Sequence, residues 1–560
     1  MPETSRRAFL EGAAGIASLA ALQGAAVGRS GAAEQGSDDP FRDGSDLEST
    51  VDELLADRIG EETPGATVTV VDREELRLAK GYGVADAETG SPVRASETIF
   101  RIGSVAKLLT FTAVMHDVER ASLDLDADVN TYLDDSAVEI PDSYDEPVTL
   151  RHLGTHTAGF GALVNPGMVE RAADLRSLER VVAEDRPARV RPPGETVAYS
   201  NYGTALAGHV VAAANDTTFE EYVQSEIYDP LGMEHSTFNR PGADADRHRA
   251  SPHTPAGDGF EVPEGVHINW RPAGSMTATA TDMARFMRAH LADGRFDGAT
   301  LLAPETVTAM HNTQFERHPA VNNVGYGFWE YGRPEADLIG HSGATLYFLS
   351  ALVLAPSEGV GVFVSYNSRG AGRPGELVEE LLEEYGIGFE PQSPEPLGGS
   401  EAERRAEQVA GEYAATVEYS SGLGEVTSRL EQPTITAVGD GRLTTDDRTF
   451  VETEPYVYRE VDGTDMLAFD VADGAVQQAH RSSVPQVSFE PVPPTERRAV
   501  VAGSLGVPLA GFGLSTLGYG GLGAWRWWQR RRGASDDDDT AGGTEPAPET
   551  ADADTEEGFE

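Results

Sequence analysis

Cysteine is absent from this chain, and lysine nearly so. Of 43 basic residues only Lys80 and Lys107 are lysines; the rest are arginines. The missing cysteines exclude disulfides, thiolate zinc sites and a cysteine nucleophile, and leave the redox compartment unspecified. Positive charge is also scarce: 93 acidic residues give a net charge of −50 over 560 residues, and the acids run along the whole chain. Such a surface repels phosphate backbones, which excludes DNA or RNA as a partner. An acidic, lysine-poor, arginine-using composition reads as a halophile's, since concentrated salt screens the self-repulsion.

Long apolar runs are few, and two concern membranes. Ser5-Arg6-Arg7-Ala8-Phe9-Leu10 is a twin-arginine pattern followed by an Ala/Gly-rich stretch. It is expected to be an export signal over 1–33, read by the twin-arginine machinery. A Gly/Ser/Asp-rich linker, 34–45, follows. The second run, AVVAGSLGVPLAGFGLSTLGYGGLGAW, is uncharged and ends in Trp525, Trp527, Trp528 and Arg530-Arg531-Arg532. Its length suits a transmembrane helix over 499–528, with the acidic tail 529–560 disordered on the cytoplasmic side. The rest of the protein then lies outside, at the cell membrane.

Between these runs the hydrophobic period changes several times. DLESTVDELLADRI has the spacing of an amphipathic helix. ATVTVVD and ELRLAKGYG read as a hairpin. LIGHSG, LYFLSALVLAP and GVGVFVSYN read as adjacent antiparallel strands, closed by the helix GELVEELLEEYG. Strands at both ends with helices between predict one α/β (α+β) domain over 46–390, an antiparallel sheet with a large helical insertion. Residues 403–490 alternate in the strand period and predict a separate small β-rich domain.

The chemistry starts with why a lysine persists in FRIGSVAKLLT. Ser104 and Lys107 are three apart and share a face at the start of a helix. A serine hydroxyl needs a base, and a desolvated lysine can lose its proton where arginine cannot. The helix start also offers backbone N–H groups to an oxyanion. In Tyr199-Ser200-Asn201 a phenol and an amide sit together. The phenol's pKa is expected to fall beside an ammonium, so that it can shuttle a proton. Asn201 can hold Lys107 or a substrate carbonyl. Gly340-His341-Ser342-Gly343-Ala344 is a small-residue strand along which a substrate backbone can lie. Its Ala344 N–H would pair with that of Ser104 as an oxyanion hole, while His341 binds a substrate carboxylate, tunes the site, or is a structural histidine at a strand end.

FRIGSVAK, HLGTHTAGF, PGETVAYSNYGTALAGHVV, IYDPLGMEHSTF, PAGSMTATATDMARFM and GHSG occur in that order. With them, residues 48–390 resemble the serine β-lactamase-related family of class C β-lactamases, penicillin-binding DD-peptidases and esterases. The resemblance implies a five-stranded antiparallel sheet flanked by helices with a helical lobe, and an acyl-enzyme mechanism without cofactor. Ser104 would be the nucleophile, Lys107 and Tyr199 the general base pair, Asn201 a supporting group, and the His341–Ala344 strand the substrate edge. His-Ser-Gly replaces the family's Lys-Thr-Gly, a form common among esterase and peptidase relatives. Tyr347-Phe348, where relatives often carry small residues, are expected to reshape the pocket. The alternative is a catalytically inactive member that serves as a surface binding module.

Two metal-like patterns are set aside. His152 and His156 have the spacing of a zinc helix but lack its glutamate, with Gly154 between them. Asp124, Asp126 and Asp128 resemble a calcium loop whose glycine is replaced by Val129, which leaves a solvated acidic turn with weak cation binding.

Overall fold

The computed structural model describes residues 44–500, apart from 135, 164–166, 239–247, 258, 390–392, 420–427 and 429–431. The predicted signal over 1–33, the tail, and all but two residues of the predicted membrane span lie outside the described residues. Among the described residues no helix is long and apolar enough to cross a membrane.

The predicted hairpin and strand trio assemble into one antiparallel sheet. Its central strands are, in spatial order, Ile339–Ala344, Leu349–Ala355, Val360–Tyr366, Gly65–Asp72 and Leu76–Asp86. The sheet has seven strands, not five. The two-residue strands Trp329–Glu330 and Ser91–Pro92 extend its edges, too short to show any period in the sequence.

Gly65–Asp72 is buried on both faces, so Thr67 and Thr69, which alternate with its valines, are buried as well. On one face lie the helices Gly44–Leu55 and Pro374–Glu384, with Leu47, Val51 and Leu55 at four-residue spacing against the strands. The first of these begins inside the segment predicted as linker. On the other face Ala280–Leu291 joins a larger core with the helices Ala106–Glu119 and Asn201–Ala214. Ala106–Glu119 is buried almost all round, so it is a central helix.

The predicted small β domain is a closed barrel of eight antiparallel strands from Gly411–Ala415 to Phe489–Pro491, sealed where Tyr413–Ala415 pairs with Phe489–Pro491. Closure removes the exposed edges of an open sheet. A helix, Gly399–Val409, precedes it and adds Ala406 and Val409 to its core. The barrel has its own hydrophobic core and packs with the α/β region in one compact unit, where Tyr199 of that region packs against the barrel's core.

Candidate active site

Ser104 sits in a tight turn, Gly103–Val105, that runs straight into Ala106–Glu119. Gly103 has φ +54°, and a Cβ there would lie 2.7 Å from the Ala344 nitrogen, so only glycine lets the turn touch the sheet edge. Lys107 lies beneath Ser104 and is fully buried. Its Nζ is 3.2 Å from Ser104 Oγ, 2.8 Å from Asn201 Oδ1 and 2.6 Å from the Ala273 carbonyl. None of these partners is a carboxylate, and burial pushes the Lys107 pKa well below its ordinary value. Nζ donates to all three; once deprotonated, the amine keeps two hydrogens for Asn201 Oδ1 and Ala273 O and has a lone pair left for the Ser104 proton. The other lysine makes the contrast: Lys80 is on the surface and bonds Glu48 and Asp52, a task arginine can also perform.

Tyr199 precedes the helix Asn201–Ala214, which Ser200 caps by accepting from Gly203 N–H. Lys107 Nζ is 4.8 Å from the centre of the Tyr199 ring, and the phenol bonds Ser104. The expected fall in the Tyr199 pKa does not occur. Burial raises it, and the bond to Ser104 opposes that only in part.

The predicted substrate strand lies where the sequence puts it. Thr345 N–H donates to Phe348 O at 2.8 Å. Alternation along the ladder then turns the amides of His341 and Gly343 toward Leu349–Ala355 and those of Ser342 and Ala344 to the opposite edge. There Trp329–Glu330 pairs only with Gly340 and Ile339, so the Ser342–Ala344 edge is uncovered. Ser104 and Ala344 N–H thus meet across Gly103, and two such donors can hold a carbonyl oxygen as it gains charge. His341 is fully buried with its ring 3.8 Å from Trp329, and burial and Lys107 both push its pKa well down. A buried neutral imidazole does not pair with a substrate carboxylate, which leaves His341 either tuning the site or serving as a structural histidine packed on Trp329.

The barrel completes the cavity. Tyr199 N–H donates to Gln486 O at 3.1 Å, Ala198 bridges Val487, and Ala162 bridges Tyr419. Thr416 Oγ donates to Val197 O. The resulting cleft, about 610 Å³, has Ser104, Tyr199, Asn201 and Ala344 on one wall and Val417, Gln486 and Phe489 on the other. A second cavity of about 580 Å³ shares Trp329, Ser342, Ala344 and Gln486 with it. Tyr347 and Phe348 line neither; Phe348 packs edge-on against Phe100 at 6.3 Å, so the expected reshaping of the pocket is absent.

One residue set aside by the sequence reading belongs here. His156 follows the short helix Leu150–Gly154 at φ +56°, off the face of His152, so the two do not form a zinc pair. Its ring lies 4.7 Å from that of Tyr199 and its Nδ1 accepts from Ser200 N–H. Burial, and then Lys107, push its pKa down to about 3. Only the fold brings it to Tyr199. The Asp124–Asp128 turn is committed to structure: Asp126 pairs with Arg151 and Asp128 caps the turn at Asn130.

A Ser–Lys–Tyr constellation built on a buried lysine at the edge of an antiparallel sheet, with the Ala344 amide beside the serine's turn, defines the serine acyl-transfer class of site. Residues 47–386 match the family model described as Beta-lactamase, and the chain belongs to that family. It is 26% identical over 262 residues to a β-lactamase of Yersinia enterocolitica, across 47% of this chain and 64% of that protein. To esterase EstB of Burkholderia gladioli it is 29% identical over 204 residues, across 34% of this chain and 50% of the esterase. The chain thus spans half to two thirds of these curated relatives. The octameric penicillin-binding protein homologue from Pyrococcus abyssi shares the fold, with TM-score 0.51 and 21% identity over 80% of this chain and 99% of that one. That share of the chain is larger than the family region alone.

Proposed function

We propose that this protein is an exported, membrane-anchored serine hydrolase of a halophile that acts through an acyl-enzyme on an ester, amide or peptide. The carrying observation is Lys107: fully buried, bonded to Ser104 and without a carboxylate partner. In this reading Ser104 Oγ attacks the substrate carbonyl carbon and passes its proton to Lys107 Nζ. The oxyanion forms between Ser104 N–H and Ala344 N–H. Tyr199, a neutral phenol, gives its proton to the leaving group and is reprotonated from Lys107. Water then attacks the acyl-enzyme and the same protons move in reverse. Asn201 fixes the amine. The His341-Ser342-Gly343 sequence in place of Lys-Thr-Gly favours esters and peptides over β-lactams. Export and anchoring rest on the twin-arginine pattern and the apolar run at 499–528; the halophilic setting rests on the −50 charge and the use of arginine.

The test is covalent labelling of the full chain in molar KCl with a fluorescent fluorophosphonate and, separately, a fluorescent penicillin. Fluorophosphonate labelling is expected in the wild type and absent in Ser104→Ala and Lys107→Arg. Folded wild-type protein that neither probe labels would overturn the assignment and leave the inactive binding module.

A further inference from the structure

The cleft beside Ser104 is built by two bodies, and the side chains they contribute are mostly apolar. From the α/β region come Leu163, Tyr202 and Trp270; from the barrel come Val417, Phe489 and Val492. Among the charged groups, Arg191 pairs with both Glu418 and Glu490, and Glu496 also lines the cleft. The two bodies are joined at the cleft by the Ala162–Tyr419 and Ala198–Val487 bridges. A groove of about 610 Å³ beside a polar reaction centre is far more than an acetyl or a single small side chain needs.

We propose that this groove is an acyl subsite for a large apolar acyl group, gripped between the α/β region and the barrel. The inference rests on the serine hydrolase reading above and names its substrate class. The acyl group, not the leaving group, is assigned to the groove for a physical reason. It stays on Ser104 through both chemical steps and gains from burial throughout, whereas the leaving group has to depart. An acyl chain in an apolar groove loses water contact one methylene at a time, at about 0.8 kcal/mol each, or roughly fourfold in kcat/KM per methylene until the groove is full.

The experiment uses the full chain in molar KCl and p-nitrophenyl esters whose acyl chains run from acetyl to decanoyl, with 3-phenylpropanoyl added. In parallel, alkyl acetates of matched length vary the alcohol instead. The expected result is that kcat/KM climbs severalfold per methylene over the first few carbons of the acyl series and stays flat across the alcohol series. Val417→Ser and Phe489→Ser, each on the barrel wall, are expected to flatten the acyl series, read as the ratio of decanoyl to acetyl kcat/KM within each variant. The phenylpropanoyl ester reports shape: turnover equal to the straight chain of the same bulk fits an open groove, and a much lower one restricts the acyl group to straight chains. A flat acyl series, or a dependence on the alcohol in its place, overturns the acyl subsite even where acetate is turned over and Ser104 is labelled. Loss of acetate turnover and of fluorophosphonate labelling in the wild type counts against the hydrolase reading itself. In that event binding of decanoate to the Ser104→Ala chain, read from tryptophan fluorescence and compared with Phe489→Ser, still decides whether the groove takes an apolar chain.

Discussion

Replacing Arg317 by alanine should separate the barrel from the reaction centre. Arg317 belongs to the α/β region and is 7% exposed. Its guanidinium donates to Val487 O at 2.8 Å, to Arg481 O at 3.1 Å and to Asn322 O, with a longer contact to Val484 O at 3.5 Å. All four are backbone carbonyls, and three lie in the barrel segment that accepts the Tyr199 N–H at Gln486. With no carboxylate bonded to it, burial pushes the guanidinium pKa down to about 9. Alanine takes the Arg317 donors from three close carbonyls, of which Arg481 O keeps only the 3.4 Å bond from Val484 N–H, at about 1–3 kcal/mol each. Removing a buried, uncompensated charge returns part of that. The net loss should be about 3 kcal/mol. The catalytic effect should be larger than stability alone explains, because a shift of about 1 Å in a reacting group can cost about 10²-fold in rate. Ester turnover at a temperature where the variant stays folded by circular dichroism should show kcat reduced by about 10²-fold with KM changed little. Arg317→Lys, which restores one cation but not the fork, should fall between. An Arg317→Ala protein with unchanged melting temperature and unchanged kcat would refute the idea that the barrel positions Tyr199.

Two further outcomes follow from the geometry. Turnover should rise with pH through the Lys107 pKa, because only the neutral amine accepts the Ser104 proton; that pKa lies well below the usual lysine value, so the rise should be complete before pH 10. Lys107→Arg stays cationic throughout, so raising the pH in a pH–rate assay should not restore it. Gly343→Ala should abolish labelling of Ser104, since its Cβ would fall 2.1 Å from Ile102 O and 2.4 Å from Ser350 Oγ and push the substrate edge away from the Ser104 turn. Retention of normal labelling kinetics by that variant would mean that the edge tolerates displacement.

The sequence by itself determined the local elements and the reacting pair. Apolar, β-rich runs between turns marked the strands of the sheet, and one of only two lysines in an arginine-using chain marked Lys107 beside Ser104, because the three-residue spacing fixes that contact. The five central strands were legible, and the two-residue edge strands were not, since two residues carry no period. Tyr199 and Asn201 are about 95 positions from Lys107, and a family resemblance, not spacing, connected them. What only the tertiary structure decided depends on burial and on contacts between distant segments. It set the direction of the Tyr199 pKa, because desolvation is a property of the packed environment and outweighs the hydrogen bond with Ser104. It buried His341 under Trp329 and brought His156 to the Tyr199 ring. It also closed 411–491 into a barrel and laid it against Tyr199, which alternating residues cannot announce: the period tells which face of a strand is buried, and not which other body comes to cover it.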